Sequence, residues 1–254
     1  MSMIQDTWVM TKRSLKHTVR SMDTIITVVI MPIAIMLLFV FVFGGAFEQA
    51  LGSSESYINF VTPAIIIMTV ASGIAYAALR VNTDLLKGII NRFKTMPVAP
   101  SSILGGHAAS STLSNLFSSL LVLGVALLVG FRSDADVVGW LLFAGLLVLF
   151  TLATTWLAIL FGLLAKTSEG AGAFSYILLL LIFISSGFTP VENMAPGLRW
   201  FAENQPMTPI IETMRSLLTT GMAGESGWIA VAWCVALLVV CYIFAVRVYK
   251  KRAL

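Results

Sequence analysis

Residues 137–165 read VVGWLLFAGLLVLFTLATTWLAILFGLLA. No charged residue interrupts this run, and as a helix rising about 1.5 Å per residue it exceeds the roughly 30 Å of bilayer hydrocarbon. Its apolar side chains fall on every side of such a helix, whereas a helix resting on a soluble core keeps a polar face. Polar and apolar residues do not alternate, so a barrel strand does not fit either. The run is a transmembrane helix, and it governs the reading of the rest of the chain.

Five further apolar runs flank it, at 24–47, 59–79, 110–131, 171–188 and 228–246, the fourth of these being short. Of the 254 residues, 58% are hydrophobic and 11% charged, less than half of the roughly 25% charged residues usual in a soluble domain. The expected fold class is therefore an all-α polytopic membrane protein with six transmembrane helices, residues 1–254 forming one transmembrane domain. Basic residues Lys12, Arg13, Lys16 and Arg20 before the first run imitate a signal peptide. That run is longer than the roughly 7–15 residues of a signal core, so it reads as a retained span.

Basic residues set the orientation. With the N-terminus in the cytoplasm, thirteen of the sixteen Lys and Arg residues fall inside and only Arg132, Arg199 and Arg215 outside. Both termini are thus expected in the cytoplasm. No Asp, Glu, Lys, Arg or His lies in the centre of any run; His107 and Lys166 stand at edges. Proton relays and many ion-coupled sites depend on such groups, so a proton-driven pump is disfavoured and any energy source is expected outside the membrane domain.

Three segments outside the runs carry patterns of their own. Around KGIINRFKTMPVAP, residues 87–100, and starting from Thr83, the apolar positions Leu85, Leu86, Ile89, Ile90, Phe93 and Met96 take one face of a helix that Thr83 could cap and Pro97 would end. Lys87, Asn91, Arg92 and Lys94 take the other face, so 83–97 is a short amphipathic helix on the cytoplasmic side. It suits either anionic lipid headgroups or the groove of a partner protein. Residues 1–22 have Ile4, Trp8, Leu15 and Val19 at helical spacing among their basic residues, as an amphipathic helix on the inner leaflet would.

The third segment is the outer loop, 189–227. Within it Thr208 could cap a helix with Pro209 at its first position and Gly221 after its end. Ile210, Ile211, Met214, Leu217 and Leu218 would form its apolar face, and Glu212, Thr213, Arg215 and Ser216 its polar one. Upstream, 196–203 could form another short helix, with Trp200 and Phe201 suited to the headgroup region. The loop reads as an interfacial lid or as an outer gate.

Soluble enzyme chemistry is not visible. FGLLAKTSEG has Lys166 and Thr167 placed like the end of a nucleotide-binding loop, but Ala165 and Leu160 stand where that loop needs glycines. Cys234 and Cys241, seven residues apart in one apolar run, read as small buried hydrophobes. His17 and His107 lack ligand-type neighbours at metal-binding spacing and read as structural or surface residues. Ser110, Ser111, Ser114, Ser118 and Ser119 in the third run suggest close helix packing, or else a polar path.

On these features the chain resembles the permease subunit of ABC type-2 exporters, particularly the daunorubicin-resistance-like drug exporter permeases of bacteria. That family typically shows a Gly, an Arg-Phe or Arg-Leu, a basic residue and a Met-Pro or Leu-Pro in its first cytoplasmic loop. Gly88, Arg92, Phe93, Lys94, Met96 and Pro97 match these. In its outer loop Asn-Pro or Asn-Gln-Pro precedes a short helix bearing an Arg, as Asn204, Gln205, Pro206, Thr208, Pro209 and Arg215 do here, with Glu212 in the same helix.

The resemblance implies that 83–97 is a coupling helix docking into a separate ATP-binding cassette ATPase, through Gly88, Ile89, Arg92, Phe93, Lys94, Met96 and Pro97. ATP and Mg would sit on that partner, with no cofactor or metal on this chain and no enzymatic activity of its own. Two permeases, alike or different, would pair in the lipid bilayer of the bacterial plasma membrane, and no nucleic acid partner is implied. The substrate path would run along the second and fifth spans, making Ser72, Tyr76, Phe174, Tyr176, Phe183 and Ser185 its candidates. A largely apolar, aromatic path suits an amphipathic drug-like or lipid-like substrate. The alternatives are a permease for glycan or teichoic-acid-type export, a stand-alone secondary transporter, and a membrane scaffold.

Overall fold

The computed structural model describes residues 22–46, 56–87 and 100–253. Among them every regular element is helical. The first span, α1 (Ile26–Ala46), is followed by α2 (Tyr57–Leu86), α3 (Pro100–Val129), α4 (Val137–Leu164) and α5 (Ser168–Phe183). Two short helices, α6 (Pro196–Asn204) and α7 (Met207–Thr219), precede the last span, α8 (Gly227–Ala253). Five of these helices are long and apolar enough to cross a membrane, and α5 is a shorter apolar helix. This is a polytopic membrane protein with about six spans.

Several boundaries differ from the sequence expectation. With 30 residues each, α2 and α3 extend about 45 Å, well beyond the hydrocarbon, because their polar ends continue the helix outside it. Helix α2 thus passes straight through Thr83, which caps nothing and lies inside its last turns. Helix α5, by contrast, stops at Phe183 rather than 188. Its 16 residues rise only about 24 Å, and the buried, non-helical Ser185–Phe188 stretch continues from it. Near the start of α1 the ring of Pro32 would crowd the carbonyl of Val28 and supplies no N–H for it. There the helix widens, with Met31 N–H donating to Ile26 O.

Helix α2 is the axis of the bundle: 72% of its most apolar window is buried, against 17% for α1 and 22% for α8. It packs on α1, α3, α4, α5 and α7. Two close approaches make this possible. A Cβ on Gly162 of α4 would lie 2.6 Å from Ala78 O of α2, and one on Gly73 of α2 would overlap the Asn115 side chain of α3. Ser110, Ser111, Ser118 and Ser119 of α3 are buried as the close-packing reading expects, with Ser114 partly so.

The span ends alternate. Val81, Leu104, Leu163, Ala245 and Tyr249 form one small cluster, gathering the end of α2, the start of α3 and the ends of α4 and α8 on one side. On the other side the Arg132 amide N–H donates to Asn59 Oδ1 at 3.0 Å, and Ser133 Oγ donates to Leu218 O at 2.6 Å. The first of these sides carries Lys87, Lys166, Lys250 and Lys251, so it is the cytoplasmic one.

Candidate functional site

The expected coupling residues Gly88, Ile89, Arg92, Phe93, Lys94, Met96 and Pro97 lie outside the described residues, as does the amphipathic segment 1–21. What the structure defines is the pair of supports on either side of 88–99. Helix α2 delivers the chain as far as Lys87, whose N–H still bonds Thr83 O at 3.0 Å, and α3 takes it up again at Pro100. These supports are tied together by Asp84 and His107, Oδ2 to Nε2 at 3.1 Å. His107 is therefore structural, joining α2 to α3.

Just above that exit lies Asn82, which is fully buried. Its Nδ2 donates to Gly162 O at 3.0 Å and to Ala165 O at 2.8 Å. These are carbonyls at the end of α4, where the helix can no longer supply partners. Its Oδ1 accepts from Ser168 Oγ, the first residue of α5, at 3.3 Å. Thr83 Oγ1 lies 3.4 Å from the same Ser168 hydroxyl. Thr167 caps α5 by accepting from Gly170 N–H at 3.2 Å. One amide thus bridges three helices where α4 turns into α5.

A second polar cluster closes the opposite end of the α2–α5 pair. The carbonyls released where α5 stops are taken up by side chains, as backbone buried at membrane depth requires. Gln205 Nε2 donates to Leu181 O at 3.1 Å and Ser185 Oγ to Ile182 O at 2.5 Å. Tyr57 Oη donates to Phe188 O at 3.0 Å and Arg215 Nη2 to Ser186 O at 2.7 Å. Arg215 Nε also donates to Phe60 O of α2 at 3.0 Å, with the guanidinium 3.7 Å from the centroid of the Phe60 ring. The half-buried guanidinium thus meets two backbone carbonyls and one aromatic face.

This arrangement corrects the expected layout of the outer loop. Helix α7 begins at Met207 with Pro206 in the capping position, so Thr208 does not cap it and Pro209 is its third residue. Thr208 Oγ1 instead accepts from Gln205 Nε2 at 3.3 Å and from Ser186 N–H at 3.4 Å. Thr213 and Arg215 do not belong to a water-facing side. Thr213 is buried, its Oγ1 bonded to Pro209 O, and Arg215 is half-buried. The reason is depth: the apolar residues Ile210, Ile211, Met214, Leu217 and Leu218 join the main core with Phe143, Leu147 and Cys234. So α7 is enclosed by spans on more than one side. The end at Gly221 holds as expected, with φ +74.

The remaining loop residues are dispersed. Asn204 Nδ2 donates to Trp200 O at 2.7 Å at the end of α6, and Glu212 accepts from Ser226 Oγ at 3.3 Å. Trp200 and Phe201 are exposed, as headgroup contacts would be.

The six path candidates do not share one surface of the chain. Phe174 is buried and stacks on Phe161 of α4, centroids 4.8 Å apart and planes 4° from parallel. Ser185 is wholly buried in the turn after α5. Tyr76 Oη donates to Thr27 Oγ1 of α1 at 3.0 Å, and Ser72 is half-buried. Tyr176 and Phe183 lie on the exposed stripe of α5 with Ile177 and Leu180. Phe183 stacks on Phe188, centroids 4.9 Å apart, and Phe188 meets Phe39 of α1 at 4.8 Å. Helical period explains the split, since positions 174, 178 and 182 face inward and 176, 180 and 183 outward.

Sequence reasoning passed over Asn82, Tyr57, Phe60 and Ser186. Asn82 had a signal: it continues the face Ala71, Ile74 and Ala78 at helical spacing, a polar residue on a buried stripe. Tyr57, Phe60 and Ser186 had none, because their roles depend on where α7 inserts.

Residues 5–219 match the family model described as ABC-2 type transporter. A daunorubicin resistance ABC transporter permease protein of Streptomyces coeruleorubidus is 28% identical over 233 residues, covering 90% of this chain and 80% of the relative. A probable doxorubicin resistance ABC transporter permease protein of Mycobacterium tuberculosis is 21% identical over 250 residues, covering 98% of this chain and 90% of the relative. A putative transport permease of Pyropia yezoensis is 26% identical over 225 residues, covering 86% of this chain and 76% of its own.

Proposed function

The chain belongs to the ABC-2 type transporter family, and from that premise we propose that it is the permease subunit of an ATP-driven exporter for amphipathic drug-like or lipid-like molecules. A separate ATP-binding cassette ATPase, which itself holds ATP and Mg, binds residues 88–97, and a second permease completes the path. The supporting observation is the near end-to-end likeness to drug-resistance permeases in a chain whose span centres carry no Asp, Glu, Lys, Arg or His. Work must then be delivered to the bundle from outside it. The geometry provides a recipient, because α2, the most enclosed span, runs unbroken to the exit at Lys87.

The test is co-expression with a candidate ATPase, purification in nanodiscs, and ATP-dependent uptake of daunorubicin into inside-out vesicles. Wild type should carry the ATPase at about one per permease and accumulate the drug. Phe93→Asp places a charge on the apolar docking face, where an interfacial anchor typically costs 2 kcal/mol or more, roughly thirtyfold in affinity. It should insert normally and lose both the ATPase and uptake. Normal uptake by Phe93→Asp would refute docking at this segment.

A further inference from the structure

Between Leu164, the end of α4, and Ser168, the start of α5, the chain is extended: Ala165 has φ −64 and ψ 143, and Thr167 has φ −130 and ψ 154. Three non-helical residues joining two rigid helices form a hinge. Asn82 spans it, holding Gly162 O and Ala165 O on one side and the Ser168 hydroxyl on the other. An amide is the side chain for this task, since it offers two N–H donors and a carbonyl acceptor on a short stem. The amide itself and its bond to Gly162 O are buried, and the bonds to Ala165 O and from Ser168 Oγ are part-buried, so water replaces them poorly. One turn higher, Gly162 brings the α4 backbone against Ala78, so α2 and α4 also meet without side chains to cushion sliding. From Asn82 to Lys87 the helix is continuous, about one and a half turns.

We infer that Asn82 is a positioning residue for transport: it makes the cytoplasmic ends of α2, α4 and α5 move as one unit, so that displacement of the segment after α2 is delivered to α5. The inference rests on the exporter reading above. Without the amide, α2 could shift while the hinge absorbs the motion.

The experiment uses the permease with its ATPase in nanodiscs and vesicles, in a background with Cys234 and Cys241 replaced by alanine. Spin labels at Lys87→Cys and Lys166→Cys, both exposed, report the distance across the clamp. In the parent that distance should be narrow and the same with and without ATP. In Asn82→Leu, similar in volume, it should broaden and diverge between the two conditions. Daunorubicin moved per ATP hydrolysed should fall about tenfold in Asn82→Leu and about threefold in Ser168→Ala, with ATPase association unchanged. A residue that served folding alone would lower yield and leave drug per ATP unaltered.

The inference is overturned by parental drug per ATP in Asn82→Leu, or by a parental label distance that changes with ATP. If Asn82→Leu does not fold, Ser168→Ala decides by the same two readings. If the parent binds no ATPase and moves no drug, the exporter reading falls. The nucleotide-free label distances still judge the clamp, since an equally narrow distribution in parent and Ser168→Ala would refute it.

Discussion

The α2–α5 pair is fastened at both ends, but by different means. At the cytoplasmic end the fastening comes from the spans themselves, through one short amide on α2 and the first residue of α5. At the outer end it comes mainly from an inserted element, since Arg215 and Gln205 flank or lie in α7 and reach across to α2 and to the carbonyls beyond Phe183. The inner clamp joins intact helix ends, whereas the outer one repairs a helix that stops short. A coupling device needs the first kind, because rigid helices carry displacement. A helix that ends inside the bundle needs the second, because each bare carbonyl in an apolar setting costs several kcal/mol.

The comparison breaks first at Arg215. Arg215→Leu removes the donors to Phe60 O and Ser186 O together with the contact on the Phe60 ring, and charged donors are worth about 1.5–3 kcal/mol each. A loss of about 3 kcal/mol is expected, seen as a lower midpoint of thermal aggregation in detergent. Arg215→Lys, with one compact cation, should recover less than half. An unchanged midpoint in Arg215→Leu would show that α7 is held by its apolar face alone. Next comes Gly162→Ala, whose Cβ would stand 2.6 Å from Ala78 O. Forcing α2 and α4 apart should cost about 1–3 kcal/mol and, by pulling Asn82 from its carbonyls, should also reduce drug moved per ATP. Arg215→Leu should leave that ratio near normal in whatever protein folds. Equal effects of the two on coupling would erase the distinction between the ends.

The spans were legible because long uncharged runs have one structural solution in lipid, and the charge asymmetry oriented them. The pattern of α7 was legible too: its five apolar positions are buried and Gly221 ends it. Its environment was not. Amphipathic spacing in Pro209–Leu218 reports that one face is apolar, and says nothing of whether the other meets water or the carbonyls of a broken neighbour. Hence spacing places Thr213 and Arg215 on the polar face of the helix and does not reveal that this face is partly enclosed. Thr208 was misread for a local reason, because Pro206 fits the turn before the helix equally well and Gln205 captures the threonine hydroxyl. Asn82 was overlooked within a run that continued as helix past its apolar part, where the expected boundary at 79 hid it.

The finest test of the comparison is Tyr57→Phe. Tyr57 is buried at the start of α2, and its hydroxyl donates to Phe188 O, the last of the carbonyls freed beyond α5. Removing one oxygen leaves the ring and its stacking on Phe60, centroids 6.1 Å apart, in place. Hydrogen bonds between membrane helices average about 0.6 kcal/mol and reach about 1.7, so a loss of roughly 1 kcal/mol is expected from thermal midpoints. Phe188 also sits between Phe183 and Phe39. If the outer clamp is a set of separable repairs, Tyr57→Phe and Arg215→Leu will add in the double variant. If Arg215 and Tyr57 hold one cooperative turn, the double variant will lose less than the sum, because the first substitution has already released the 184–188 backbone that the second would free.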